Sequence, residues 1–233
     1  MSLLGTANAD IETSIGAGYA SDYVFRGSNY GDDLVEATIG VSGSGSLGGL
    51  GDLDFAASLW LGTASDIGGI GVSGNEMDIS LSASKALSEN LSLEVGVTNY
   101  SYYGDVATLL AVAEVPLTDD LEPYVSVGTS LGGISLGAGA YFNEGGGNPH
   151  DIYWEITAGY EMELSGLGTL GLSGLIGHFD EDVNGIDTYY SLSAGLSIAA
   201  SDSITVTPHI THVIDGAGGD DETFAGVSVS FGF

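Results

Sequence analysis

Carboxylates are the residues of this chain best placed to do chemistry, and they recur at alternate positions within apolar stretches. Glu12, Asp22, Glu36, Asp54, Asp78, Glu94, Glu155, Glu161 and Glu163 share their phase with Gly, Ser, Ala and Thr, opposite the Ile, Leu and Val of the same stretches. Glu114 fits less cleanly, because Leu110 and Val112 fall on its face. Carboxylates gathered on one side of a wall favour cations over anions, as acidic rings in cation pathways do. The only bases of the chain are Lys85 and Arg26. Arg26 falls on the same side as Asp22, so the residue reads either as a constriction in a solute path or as an ion-pair tether for the first loop.

Other candidates carry less. Asp180-Glu-Asp-Val-Asn-Gly-Ile-Asp187 contains the D-x-D-x-N-G start of a calcium loop, which would place Asp180, Asp182, Asn184 and Asp187 near a cation. The twelfth position is Ser191 rather than Glu, so an acidic solvated loop is the plainer reading; Asp215–Glu222 is a weaker second candidate. The four histidines, His150, His178, His209 and His212, stand in no motif with a serine nucleophile, and no phosphate loop or dinucleotide fingerprint occurs. No catalytic residue and no cofactor are expected, calcium in the loops excepted.

These side chains must be positioned by strands. After Ile11 the sequence alternates apolar with small or polar residues, the period of a strand with two unlike faces. Alternating stretches occur at 11–25, 35–42, 53–61, 77–84 and 91–98, and again at 152–162, 169–179, 188–199, 203–213 and 223–233. A less regular one covers Ala107–Val115, and Pro116–Glu122 reads as a turn. Between 124 and 142 the phase slips at Gly132-Gly133, as either a bulge in one long strand or a tight turn between two short ones. Pro208 marks an irregular spot in the next-to-last strand.

The composition narrows the class. The chain has 32 acidic residues against two basic ones, a net charge of −30, and 39 glycines. This balance excludes nucleic acid as a partner, since phosphates demand Lys and Arg. It equally excludes a polybasic contact with anionic lipid. There is no cysteine, hence no disulfide and no thiolate metal site. No apolar run is long enough for a spanning helix. Leu3-Leu-Gly-Thr-Ala-Asn-Ala9 looks like the end of a secretory signal with an Ala-x-Ala cleavage site. Residues 1–9 are therefore expected to be a signal remnant and 10–233 a single domain.

Short connections alternate with longer acidic ones, and most aromatic residues lie toward the long-loop ends of their strands. Both features predict an all-β, antiparallel, up-and-down transmembrane barrel in the bacterial outer membrane of a Gram-negative cell, with periplasmic turns and extracellular loops. Placing Pro116–Glu122 on the periplasmic side and requiring an even strand number favours one long strand over 123–142 and twelve strands in all, with fourteen or ten as alternatives. The aromatics, among them Tyr19, Tyr23, Trp60, Tyr100, Tyr141, Tyr153, Trp154 and Tyr189, are expected to form an interfacial band. The small residues of the polar faces predict a wide, open lumen. Its partners would be the lipid bilayer and small solutes or cations.

Two segments add a resemblance. Val227, Val229, Phe231 and Phe233 alternate with Gly226, Ser228, Ser230 and Gly232 up to the last residue. This resembles the final strand of outer-membrane proteins, whose terminal Phe is recognised by the barrel-assembly machinery. Ser21-Asp-Tyr-Val-Phe-Arg-Gly27 resembles the first-strand motif of the TorF-like (Gcw_chp) porin family at Tyr23, Val24, Arg26 and Gly27. The resemblance implies fold and location more than mechanism. The function expected is a porin-like channel for passive diffusion of small, preferably cationic, solutes. The alternatives are a surface barrel with calcium-binding loops and no open pore, and a soluble secreted ligand-binding barrel.

Overall fold

The computed structural model describes residues 11–66, 73–104, 120–143, 152–183, 186–216 and 219–232. Twelve strands follow one another around a single closed ring, each antiparallel to its neighbours: β1 (Glu12–Phe25), β2 (Ser28–Ser46), β3 (Asp52–Ser65), β4 (Gly74–Ser88), β5 (Leu91–Gly104), β6 (Asp120–Leu131), β7 (Ile134–Phe142), β8 (Ile152–Leu164), β9 (Gly168–Val183), β10 (Ile186–Ser201), β11 (Ile204–Ile214) and β12 (Glu222–Gly232). The ring closes where β12 pairs with β1, from Ser14 opposite Gly232 to Ala20 opposite Gly226. Closure removes both sheet edges, and with them the unpaired backbone groups that neither water nor lipid would satisfy.

Alternation sets the two faces. Ile15, Ile39, Leu81, Ile156, Leu192 and Val227 lie on the outer surface; Ile156 at 59% and Leu192 at 57% exposure show how little protein covers it. A continuous apolar belt of this extent is unfavourable in water and is the surface a bilayer would cover. On the other face, Gly16, Gly18, Thr38 and Gly40 of β1 and β2 face inward beside Ser228 and Ser230 of β12.

Several segments depart from expectation. The stretch 123–142 is not one strand: β6 and β7 form a hairpin about Gly132-Gly133, both at positive φ (61° and 86°). Two successive left-handed residues suit a tight hairpin, and glycine adopts them without a Cβ penalty. Glu122 consequently belongs to β6, not to a turn, and β6 starts beside Tyr100 of β5, at the end of the barrel opposite to the one expected for this segment. The expected strand Ala107–Val115 lies outside the described residues, and β5 pairs directly with β6, from Tyr100 opposite Asp120 to Leu91 opposite Thr129. The count of twelve holds because the split at Gly132 supplies the strand.

The first loop, expected between the alternating stretches 11–25 and 35–42, is strand from Ser28 instead, joined to β1 by a two-residue turn at Arg26-Gly27, with φ of 48° and 77°. The expected 180–187 loop is likewise mostly strand, with β9 reaching Val183 and β10 starting at Ile186. Glu76, which falls between the alternating stretches 53–61 and 77–84, lies in β4. Pro208 interrupts the ladder as expected: β10 pairs with β11 at Gly195–His209 and at Ile198–Val206 but not between. Proline has no N–H to give there.

Candidate functional site

The β1–β2 hairpin carries its tip across the barrel. Arg26 pairs with Glu122 through two bonds, Nη1 to Oε2 at 2.6 Å and Nη2 to Oε1 at 2.7 Å. β6 is five strands from β1 around the ring, so the two residues can meet only through the interior. Tyr100 of β5 donates to the same carboxylate at 3.0 Å. The guanidinium carbon lies 4.1 Å from the ring centre of Tyr153, 4.9 Å from Phe25 and 5.0 Å from Tyr141. The side chains are 15% and 5% exposed, so this is a desolvated, bidentate pair in an aromatic surround. Burial works against the charged guanidinium, but the bonds and charge of Glu122 outweigh it and raise the Arg26 pKa. Gly27 fits because a Cβ there would stand 2.8 Å from the Tyr189 ring.

Aromatic side chains fill the rest of this end. Tyr153, Tyr189 and Val213 form a buried cluster, with Val24, Tyr141, Leu175, Phe179 and Phe224 packed on it. Val24 of β1 and Tyr153 of β8 stand on well-separated walls, which places the cluster inside the barrel. Tyr153 and Tyr189 share a hydrogen bond of 2.7 Å between hydroxyls. A cavity of about 160 Å³ remains beside Arg26, between Tyr23, Tyr30, Tyr102 and the buried Glu76.

This corrects two expectations. The outer half of the lumen is packed rather than wide and open. Tyr23, Trp60, Tyr100, Tyr141, Tyr153 and Tyr189 point inward, so the interfacial band keeps only outward residues such as Tyr19, Tyr103, Trp154 and Tyr190. The signal lay in phase rather than depth: Trp60 alternates in step with Asp54 and Ser58, and Tyr153 with Glu155.

A chain with two bases must satisfy inward carboxylates with neutral donors, and tyrosine and tryptophan supply them. Trp60 Nε1 donates to Glu36 at 2.7 Å, Tyr124 to Glu94 at 2.8 Å, Tyr141 to Glu155 at 2.7 Å and Tyr23 to Glu76 at 2.6 Å. Ser44 donates to Asp54 at 2.6 Å and Thr169 to Glu163 at 2.7 Å. Asp78 stands in register between Trp60 and Tyr100, and Glu12 opposite Ser42 near the other rim. Asp22 accepts from Ser21 at 2.6 Å, while the arginine expected on its face pairs with Glu122 instead. Glu114 lies outside the described residues. Glu122 escaped notice because proline and two acids disguised the start of β6, although its alternation runs through Pro123.

Toward the short-turn end the interior opens into a cavity of about 650 Å³. Glu161 and His209 line it with serine and threonine hydroxyls, paired as Ser193–Thr211 at 2.8 Å and Ser197–Thr207 at 3.2 Å. Of the calcium candidates, Asp180 accepts from Trp154 Nε1 at 3.1 Å and Asp187 lies 3.0 Å from His178 Nδ1. Both carboxylates are thus engaged by neighbouring side chains through one oxygen each. Asn184 and the side chain of Asp182 lie outside what is described. Among the described residues, no three His, Asp or Glu side chains are gathered as for a metal ion.

No family model matches the chain, and no curated protein matches it. Solved structures do. A structure titled KdgM porin shares 11% identity over 94% of this chain and 99% of that one, at a TM-score of 0.55. The fold is that of an outer-membrane β-barrel. The NanC porin shares 12% identity over 94% and 98% of the two chains, also at 0.55. Outer membrane phospholipase A from Escherichia coli shares 12% over 94% and 92%, at 0.54. The same barrel thus frames porins and an enzyme, and at these identities the likeness speaks for the fold alone. The resemblance to TorF-like porins rests on Tyr23, Val24, Arg26 and Gly27, and on Phe233, which lies outside the described residues.

Proposed function

We propose that the chain is an outer-membrane channel of porin type, passing small solutes by passive diffusion with a preference for cations. One observation carries this reading. A closed barrel with an apolar outer belt holds inward carboxylates that are met by tyrosine, tryptophan and hydroxyl donors rather than by bases. Of the two bases, Arg26 is committed to Glu122, while Lys85 donates to the Leu50 carbonyl at the short-turn rim. Uncompensated negative charge in a narrow passage raises local cation concentration. On this reading Arg26 and Glu122 form the constriction, and the hydroxyl-lined cavity is the vestibule beneath it. The bilayer covers the outer belt, and Phe233 is the handle for the assembly machinery.

The phospholipase likeness does not extend this proposal to catalysis. His178 and His212 bond the hydroxyls of Thr188 at 3.0 Å and Thr223 at 2.7 Å, not a serine. The packed mouth does favour a second reading, a surface barrel with no open pore. Single-channel recording on refolded protein in planar bilayers, with reversal potentials in a salt gradient, separates the two. Cation-selective steps are expected; anion preference or a silent bilayer defeats the channel proposal.

A further inference from the structure

The surround of Arg26 has a property that a simple tether does not require. Glu122, Tyr100, Tyr141 and Tyr153 stand on β6, β5, β7 and β8, and only Phe25 belongs to the hairpin that brings the guanidinium. Each wall residue is held by the wall itself. Tyr141 donates to Glu155 at 2.7 Å and stacks on Tyr124 at 5.4 Å, Tyr153 bonds Tyr189, and Tyr100 bonds Glu122. The carboxylate fork and its aromatic faces are therefore organised without the arginine. Arg26 itself sits at φ 48°, a left-handed conformation unfavourable for a residue with a side chain, so its place at the site is conformationally strained.

We infer that this cage is a recognition site for guanidinium or a similar planar organic cation, which Arg26 occupies as a tethered surrogate. The fork of Glu122 matches a guanidinium through two parallel bonds, and the rings supply electron-rich faces to a delocalised, weakly hydrated cation. Withdrawal of the hairpin would leave a buried carboxylate with the Tyr100 hydroxyl and no countercharge, which is strongly unfavourable. A solute cation entering as Arg26 leaves avoids that state. The adjoining cavity beside Tyr23 and Tyr102 gives the rest of such a solute room. The consequence for permeation rests on the channel reading above; the binding does not.

The test is chemical replacement in Arg26→Ala. Methylguanidinium chloride at millimolar concentration is titrated into refolded wild type, Arg26→Ala and Arg26→Ala/Glu122→Gln, with urea as the uncharged control. Methylguanidinium is expected to raise the unfolding temperature of Arg26→Ala by several degrees and to reduce its conductance several-fold. Urea should do neither, the wild type should respond more weakly than Arg26→Ala because Arg26 competes for the cage, and the double variant should lose the effect. No response in Arg26→Ala, or an equal one in the double variant, overturns the inference. If Arg26→Ala does not fold, refolding yield with and without methylguanidinium becomes the readout; recovery supports the site and its absence overturns it. If neither protein conducts, the channel proposal fails while the thermal shift still decides the cage.

Discussion

Breaking the Arg26–Glu122 pair should cost far more than a surface ion pair would, and a double-mutant cycle measures the difference. The carboxylate is 5% exposed and the guanidinium 15%, so each would be left desolvated by loss of the other. Removing one partner of a buried pair costs about 3–5 kcal/mol, because the remaining charge keeps its burial and loses its compensation. Arg26→Ala additionally gives up the stacking on Tyr153 at 4.1 Å, a contact worth about 1–2 kcal/mol when shielded from water. Removing both charges in Arg26→Ala/Glu122→Ala relieves the stranded carboxylate. The double variant should therefore be less destabilised than the sum of the single ones, with a coupling of about 2–3 kcal/mol. An exposed pair would couple by less than about 1 kcal/mol. Urea unfolding in lipid vesicles, followed by the fluorescence of Trp60 and Trp154, gives the four free energies. A coupling below about 1 kcal/mol would falsify the view that the hairpin tip is locked across a dry interior.

Three further outcomes are expected. Ile156→Arg, on the apolar belt near the middle of β8, should cost about 2–4 kcal/mol in a bilayer, whereas Thr157→Arg on the inner face should cost much less; equal losses would contradict a lipid-facing belt. Gly168→Ala should destabilise more than Gly166→Ala by about 1–3 kcal/mol in thermal unfolding, because a Cβ at Gly168 meets the Ser197 carbonyl oxygen at 2.2 Å while that at Gly166 meets nothing. Glu94→Gln and Glu155→Gln keep an acceptor for Tyr124 and Tyr141 but remove the charge, so reversal potentials should move toward zero with little change in stability. Unchanged potentials would show that these carboxylates do not set selectivity.

Much of the fold was legible in the sequence because a strand wall imposes a period of two wherever its faces meet unlike media. Ile15, Ile39, Leu81 and Ile156 announce the outer face, and their phase alone places Glu36, Glu94 and Glu155 on the other. The site was only half legible. Arg26 stands out as the one arginine, and the slip at Gly132-Gly133 was visible as an ambiguity between a bulge and a turn. The requirement of an even strand number, with Pro116–Glu122 as a periplasmic turn, favoured one long strand there, whereas β6 and β7 form a hairpin. That choice left Glu122 in a turn, although it belongs to β6.

By itself, then, the sequence determined the barrel and its two faces, because alternation is local; the count of twelve agrees, but through a different division of the chain between 105 and 142. Only the tertiary structure decided what lies inside. Arg26 and Glu122 are 96 positions apart, and four different strands and the hairpin itself supply the groups around the guanidinium. No periodicity encodes a contact across a lumen. It depends on how far one hairpin leans inward and on which strand stands opposite when the ring closes.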